Sequence, residues 1–257
     1  MDKYKKIAII TGASSGLGRE FAYQIDNNRE IDEIWLCARR SQRLNDLSAK
    51  LQHPTKIIAG CVCDYQWQDK LRKKLNSEKV KIHTLINSAG IGKIGSVEEV
   101  GLEHNSLMVE VNILALTKIC SICLPYIMNE GRIFNLASVA AFLPQSNFAV
   151  YAASKAYVLS YSRALNQELK DKQITVTAVC PNPIETEFFN YAGRKKQADI
   201  IKKMSYEDVD KVVKTAFYKS NKNKDISISS FIAQLIRLVS RIFPHTFILK
   251  YKDKLKL

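Results

Sequence analysis

The chain has 257 residues, 46% hydrophobic and 25% charged, a balance that suits a folded α/β protein and excludes a disordered or fibrous one. Its formal charge of +14 favours anionic partners, yet no nucleic-acid module or arginine–aromatic platform accompanies that charge. No run reaches the ~18 uninterrupted apolar residues of a membrane span, and the short apolar run near the N-terminus reads as a first strand, not a signal peptide.

Ile7-Ala8-Ile9-Ile10 predicts that first strand. Thr11-Gly12-Ala13-Ser14-Ser15-Gly16-Leu17-Gly18 comes next, and then a helix over Arg19 to Asn27, with Leu17, Phe21, Ala22 and Ile25 at helical spacing. Strand, glycine-rich turn and helix together make an anion site, because the first N–H groups of the helix are free and glycines let the backbone approach a pyrophosphate. Gly12, Ser14, Ser15, Gly16, Leu17 and Gly18 are therefore the candidate cradle. The spacing is G-x-x-x-G-x-G, a weak pattern alone that gains its weight from the rest of the chain.

Further strands are expected at Glu33 to Ala38, Lys56 to Cys63, Ile82 to Asn87, Gly131 to Ala137 and Ile174 to Val179. Helical patterns alternate with them: one capped by Ser41, one over Trp67 to Leu75, two after Gly90 with the second from about Ser106 to Met128, and one over Tyr151 to Lys170. Near-continuous apolar strands separated by helices predict a doubly wound parallel sheet, a Rossmann-type three-layer α/β/α fold, with ligands at the carboxyl ends of the strands. No linker or repeat interrupts the pattern before about residue 186, and residues 1–257 are read as one domain. The six cysteines lie mostly in apolar runs. Cys120-x-x-Cys123 has no second pair, so it reads as two reduced core thiols, with no metal site and a reducing cytoplasm as the setting.

The second strand ends Ala38-Arg39-Arg40, with no carboxylate before Asp46. In a nucleotide-binding sheet this edge reads the adenosine ribose; an acid favours NAD and an arginine favours NADP. The expectation is NADP(H) over NAD(H), with Arg39 the main contact and hydroxyl help from Ser14 and Ser15. Tyr151-Ala152-Ala153-Ser154-Lys155 sets a phenol and an ammonium one helical turn apart. A tyrosine ordinarily titrates near 10, but a neighbouring ammonium favours the phenolate, so the pair suits proton exchange with an alkoxide or alcohol. Ser138 ends the preceding strand.

The ordered set Thr11-Gly12…Gly16-x-Gly18, Asp64, Asn87-x-Ala89-Gly90, Asn112, Ser138, Tyr151…Lys155 and Pro181…Thr186 resembles the short-chain dehydrogenase/reductase family over roughly residues 5 to 220. The resemblance implies that Tyr151 is the general acid/base and that Ser138 bonds the substrate carbonyl. Lys155 is then expected to bind the nicotinamide ribose and lower the tyrosine pKa, and Asn112 to hold a water that relays protons to Lys155. It further implies Asp64 at the adenine, backbone from Asn87 through Ala89 to Gly90 along the cofactor, and Pro181, Ile184 and Thr186 beside the nicotinamide carboxamide. Two positions depart from the family pattern: Ser88 stands where an asparagine is usual, and Asn182 follows Pro181 where a glycine is usual.

The implied function is a carbonyl reductase or alcohol dehydrogenase acting on a small molecule. The alternative is a cofactor-binding sensor or scaffold without turnover. Phe142, Leu143 and Phe148, with Phe188, Phe189 and Tyr191 of a substrate loop over about 186–204, suggest an apolar carbonyl compound. A homodimer or homotetramer is expected. Beyond a helix over about Ser205 to Ser220 and a last strand at Ile226 to Ile228, the segment from about 230 to 257 reads as a helix, Phe231 to Phe243, and a basic tail. Packing of that helix on the domain or on a second subunit is the expectation; docking on an anionic membrane surface is the alternative.

Overall fold

The structure, a computed structural model, describes residues 4–184, 187 and 206–255, with side chains described as far as residue 250. Seven parallel strands form one sheet in the order β3-β2-β1-β4-β5-β6-β7. They are β1 (Lys5–Thr11), β2 (Glu33–Ala38), β3 (Thr55–Ala59), β4 (Val80–Asn87), β5 (Ile127–Leu136), β6 (Thr175–Val179) and β7 (Ile226–Ser227). The helices are α1 (Gly16–Ile25), α2 (Ser41–Ser48), α3 (Tyr65–Ser77), α4 (Val97–Val109), α5 (Leu116–Cys123), α6 (Ala149–Glu168), α7 (Val209–Asn221), α8 (Phe231–Ile242) and α9 (His245–Leu255). The order reverses direction between β1 and β4, and the crevice there is where an open parallel sheet binds its ligand.

Alternation along each strand builds two cores. Ile7 and Ile9 of β1 face α3, α5 and α6 together with Trp35, Ile58 and Ile133, whereas Ala8 and Ile10 face α1, α2 and α7 with Leu36 and Phe134. Phe21 of α1, Phe134 of β5 and Phe217 of α7 meet with ring centroids 5.1–5.5 Å apart. That cluster fixes α1, and with it the glycine turn, against the sheet.

Several boundaries differ from the sequence expectation. β3 ends at Ala59, and Gly60 to Cys63 turn across the strand ends instead. β5 begins four residues early, at Ile127. A register shift opposite Ile82/Thr84 and left-handed Glu130 (φ 64°) form a bulge that hides those residues from a strand pattern. The two helices expected after Gly90 are kinked at Gly101 (φ 76°), and the second starts before Ser106. The helical run Val97–Tyr126 is long and apolar enough to cross a membrane by length and composition. Its Val111, Ala115, Leu116, Ile119, Cys120 and Cys123 are buried against the sheet, which accounts for its apolar character as that of a core helix. Cys120 and Cys123 are free, buried thiols.

The C-terminal helix departs most. α8 lies on the turn Val139–Phe142 and buries Ala233, with Ile236 packed against the core, but its wide apolar face points outward. The helix does rest on the domain, one of the two seats expected of it, but not by its wide apolar face. Ala233 and Ile236, with half-buried Arg237, Val239 and Ser240 beside them, supply the seat.

Asp26 ends α1 and ties it to the approach to β3. Its carboxylate accepts from the backbone N–H of Gln52 (2.8 Å) and His53 (2.9 Å) and from the His53 ring (3.0 Å). Burial pushes its pKa up, but the hydrogen bonds from His53 and Gln52 outweigh that and hold it below the ordinary 3.8. A carboxyl lowered in the folded state contributes stability above its unfolded pKa and loses it as pH falls through the folded one. Asp26→Ala should therefore cost about 1–3 kcal/mol at neutral pH by orphaning two N–H groups. In urea titrations the gap to wild type should shrink on acidification below pH 3.8; a gap that does not change with pH contradicts this role.

Candidate active site

The glycine turn is held by backbone proximity. Gly12 has φ +68°, and a Cβ there would lie 2.8 Å from Ala89 N and 2.9 Å from Ser88 O. A Cβ on Gly18 would lie 2.4 Å from Gly12 O, so only glycine lets α1 start this close to the turn. Thr11 Oγ1 accepts from Ser88 N (3.1 Å) and Ala89 N (3.2 Å), closing β1 onto β4. The backbone at position 88 thus keeps the joint despite the serine there.

Ser15 precedes α1, but its side chain makes no cap bond to the helix. Its hydroxyl, like that of Ser14, accepts from Arg40 Nη2, at 2.9 and 3.0 Å. The first N–H groups of α1 therefore remain available to an anion. A cleft of about 790 Å³ opens beside them, lined by Gly12, Ser14, Ser15, Gly16 and Leu17 and running past Arg39 and Arg40 to Ser88, Ala89 and Gly90, then to Ser138, Tyr151, Lys155, Pro181 and Ile184. Free helix N–H groups, a turn no side chain can fill and a long cleft all fit a dinucleotide.

At the far end of the cleft, Ser138 closes β5 and its Oγ accepts from Ala140 N (3.2 Å), opening the turn Val139–Phe142. Val139 N donates to Pro181 O (3.0 Å), so the ends of β5 and β6 are pinned together. Tyr151 and Lys155 lie in the first two turns of α6, both buried, with Lys155 Nζ 5.6 Å from the tyrosine ring centroid. Lys155 Nζ donates to Leu136 O (2.7 Å). Phe148 stacks on the Tyr151 ring, with centroids 4.2 Å apart, and fixes its plane.

Burial pushes the Tyr151 phenol up to about 12, with a Ser138 hydrogen bond working the other way, so the lowering by Lys155 that the resemblance implied is not what the structure shows. Burial pulls the Lys155 ammonium down to about 8, with the nearby Cys180 thiol opposing it. Near neutral pH the pair is a phenol beside an ammonium, the form that gives a proton to a developing alkoxide.

Asn112 sits in a π-helical turn, Glu110–Ala115, between α4 and α5, a distortion that often marks a functional position. Its Oδ1 accepts from Ile91 N (2.9 Å); its Nδ2 donates to Ile91 O (2.9 Å) and Ser154 Oγ (3.0 Å). Ser154 Oγ in turn donates to Tyr151 O (2.7 Å). The side chain of Asn112 is thus committed to joining the Gly90-Ile91 turn to α6. Gly90 admits that closeness, since a Cβ there would lie 3.3 Å from Asn112 Oδ1 and 3.4 Å from Lys155 Nζ.

Other expected residues are placed differently. Asp64 is exposed before α3 and does not line the cleft; Gly60, Cys61 and Val62 do. Asn87 turns its side chain into the core, donating to Asn135 Oδ1 (2.9 Å) and Cys120 Sγ (3.2 Å), where it braces β4 to β5. Phe142 packs into the core and Leu143 does not line the cleft, whereas Phe148 does. Thr186, Phe188, Phe189, Tyr191 and the rest of the loop over 188–204 lie outside the described residues.

Three features escaped the sequence reading. Arg40 is the arginine held by the two serines, while Arg39 is exposed at the rim of the same cleft. Glu187 reaches this corner: its carboxylate accepts from Arg40 Nη1 (2.7 Å) and Arg43 Nη1 (2.5 Å). Asn182, in the turn after β6, donates to Ser230 Oγ (2.9 Å) and so joins the cleft wall to the start of α8. None of these carries a sequence signal, because each depends on which distant loop folds back on the strand ends.

A family model described as short chain dehydrogenase matches residues 6–197. An uncharacterized oxidoreductase of Staphylococcus epidermidis is 32% identical over 197 residues, 75% of this chain and 85% of that protein. The serine 3-dehydrogenase of Agrobacterium fabrum is 31% identical over 231 residues, 86% of this chain and 90% of that one. Among solved structures, a short-chain dehydrogenase from Sphingobium yanoikuyae in complex with NADPH superposes with a TM-score of 0.79 at 26% identity, covering 92% of this chain and 93% of its own. The chain belongs to the short-chain dehydrogenase/reductase family, oxidoreductases that act on alcohol and carbonyl groups with a nicotinamide cofactor.

Proposed function

We propose that the protein is an NADP(H)-dependent carbonyl reductase acting on an apolar carbonyl compound. The observation that carries this reading is the set of half-buried Ser138 with buried Tyr151 and Lys155, facing a cleft whose nearby wall includes Ile94, Leu107, Met108 and Phe148. When bound, the cofactor supplies the hydride. The chain's own part is to hold the substrate carbonyl with Ser138 and to pass the phenolic proton of Tyr151 to the oxygen as its charge grows. Lys155 stabilises the resulting phenolate. Both Nδ2 protons of Asn112 are engaged, so a water held by Asn112 for proton return would donate to its carbonyl oxygens, Oδ1 or main chain. A sensor without turnover has no use for the complete set.

The coenzyme reading rests on the second-strand end. Arg39 is exposed at the cleft, Arg40 is oriented by Ser14 and Ser15, and β2 ends without an acid. Glu187, from beyond β6, is the carboxylate that pairs with Arg40 and with Arg43. Its bridges to Arg40 and Arg43 are partly exposed, and such pairs contribute little, about 0–1 kcal/mol. A 2′-phosphate carries more charge and accepts more bonds, so it displaces Glu187 at small cost. The free cysteines suit a reducing cytoplasm. The exposed Leu102, Val109 and Leu114 along the α4–α5 run give the expected homodimer or homotetramer an apolar face to use.

Two experiments test the reading. Tyr151→Phe keeps the ring and removes the proton, so carbonyl reduction should fall by about 10²–10⁴-fold while cofactor affinity holds; near-normal turnover rules out Tyr151 as the acid. For the coenzyme, Arg39→Asp should weaken NADPH binding by at least about tenfold without weakening NADH. Glu187→Gln should strengthen NADPH binding and leave NADH unchanged. Wild type preferring NADH in the same fluorescence titrations contradicts the assignment.

A further inference from the structure

α8 is folded inside out. Ala233 is completely buried beneath it, and Ile236, Arg237, Val239 and Ser240 are half-buried, so the helix meets the protein through one narrow edge of mixed side chains. Its apolar face looks away from the core: Leu235 is 49% exposed, Leu238 54% and Ile242 64%, with Phe231 and Ile232 also exposed. Phe243 and Phe247 continue that face past Pro244, stacked with centroids 6.0 Å apart. An ordinary surface helix of a globular protein does the reverse. The arrangement is built in rather than frayed. Ser230 caps the helix by accepting from Ala233 N (3.4 Å), Asn182 donates to the same hydroxyl, and the helix rests on the turn that follows Ser138.

The charge around this face decides what covers it. Among the described residues from Phe231 to Lys250 there are three Lys/Arg and no Asp or Glu, within a chain of net charge +14. Arg241, exposed, borders the apolar stripe, and Lys250 follows in α9. A second copy meeting this face across a two-fold axis sets the same cationic rim opposite itself, with almost no acid to answer it. An anionic lipid surface offers both an apolar interior for the leucine face and negative headgroups for the rim.

We propose that α8 is a peripheral membrane-docking helix, which lays Leu235, Leu238, Ile242 and Phe243 into the headgroup–acyl boundary of an anionic bilayer. The contact of α8 with the Val139–Phe142 turn sets the docked face beside the substrate end of the cleft. The inference does not depend on the coenzyme or the substrate, and its readout is physical binding rather than turnover.

The test is cosedimentation of the full chain with vesicles of phosphatidylglycerol and phosphatidylcholine, against phosphatidylcholine alone. Binding is expected to the anionic vesicles only, falling at least about tenfold as salt rises from low to molar levels. Leu235→Gln with Leu238→Gln, both exposed, should abolish it while thermal stability and turnover of a soluble ketone stay at wild-type values. Three outcomes overturn the proposal. One is no binding of wild type to anionic vesicles at low salt, and another is equal binding to neutral ones. The third is an oligomer seen by analytical ultracentrifugation that the double variant loses without any vesicle binding, which assigns the face to a second copy. Wild-type dependence on lipid charge and salt decides the matter even if the double variant misfolds.

Discussion

The contact between the backbones of Gly12 and Gly18 is the constraint on which the rest of the site depends. It lets α1 begin directly over the end of β1, so that unpaired N–H groups point into the cleft rather than into a cap. Thr11 then clasps the same turn to Ser88 and Ala89, and from there Ile91 is bonded to Asn112 through both its N–H and its carbonyl. A single chain of close approaches thus runs from the pyrophosphate end to the reacting end. Each link tolerates only a hydrogen or a short polar group: a methyl on Gly12, Gly18 or Gly90 would press on backbone or on a catalytic side chain.

At the reacting end, low dielectric is what gives the residues their chemistry. Tyr151 and Lys155 are both buried, and desolvation moves their pKa values toward the neutral forms, up to about 12 and down to about 8. The protein keeps such costly groups where hydrogen bonds compensate: Lys155 donates to Leu136 O, and α6 is held to the Asn112 turn through Ser154. The phenol is therefore poised as a donor with its ring fixed by Phe148, and it gives up its proton when the oxygen opposite it becomes the stronger base.

How much of this was legible in the chain depends on range. Strand–turn–helix at the N-terminus, the parallel sheet and the Tyr151–Lys155 pairing rest on local periodicity and i, i+4 spacing, and those read directly. Side-chain direction at a strand end did not read: Asn87 ends β4 as expected, yet it points into the core to brace Asn135. Asp64 and Phe142 likewise fell in the anticipated segments but face away from the cleft. Arg40, Glu187 and Asn182 acquire their partners from residues 25 to 147 positions away, which no spacing rule can reveal. The apolar pattern of α8 was plain, but amphipathicity says only that a helix has two faces. It does not say which one the protein keeps, and here the seat is Ala233.

The most direct test of the account is to follow the atoms. A soluble aromatic ketone would be reduced with NADPH carrying deuterium at the transferable position of nicotinamide carbon 4, and the products read by mass spectrometry. The account predicts one deuterium on the carbinol carbon for each cofactor oxidised. If the cofactor binds in the cleft but keeps its label across a panel of carbonyl compounds, the site binds without reacting and the central claim is contradicted.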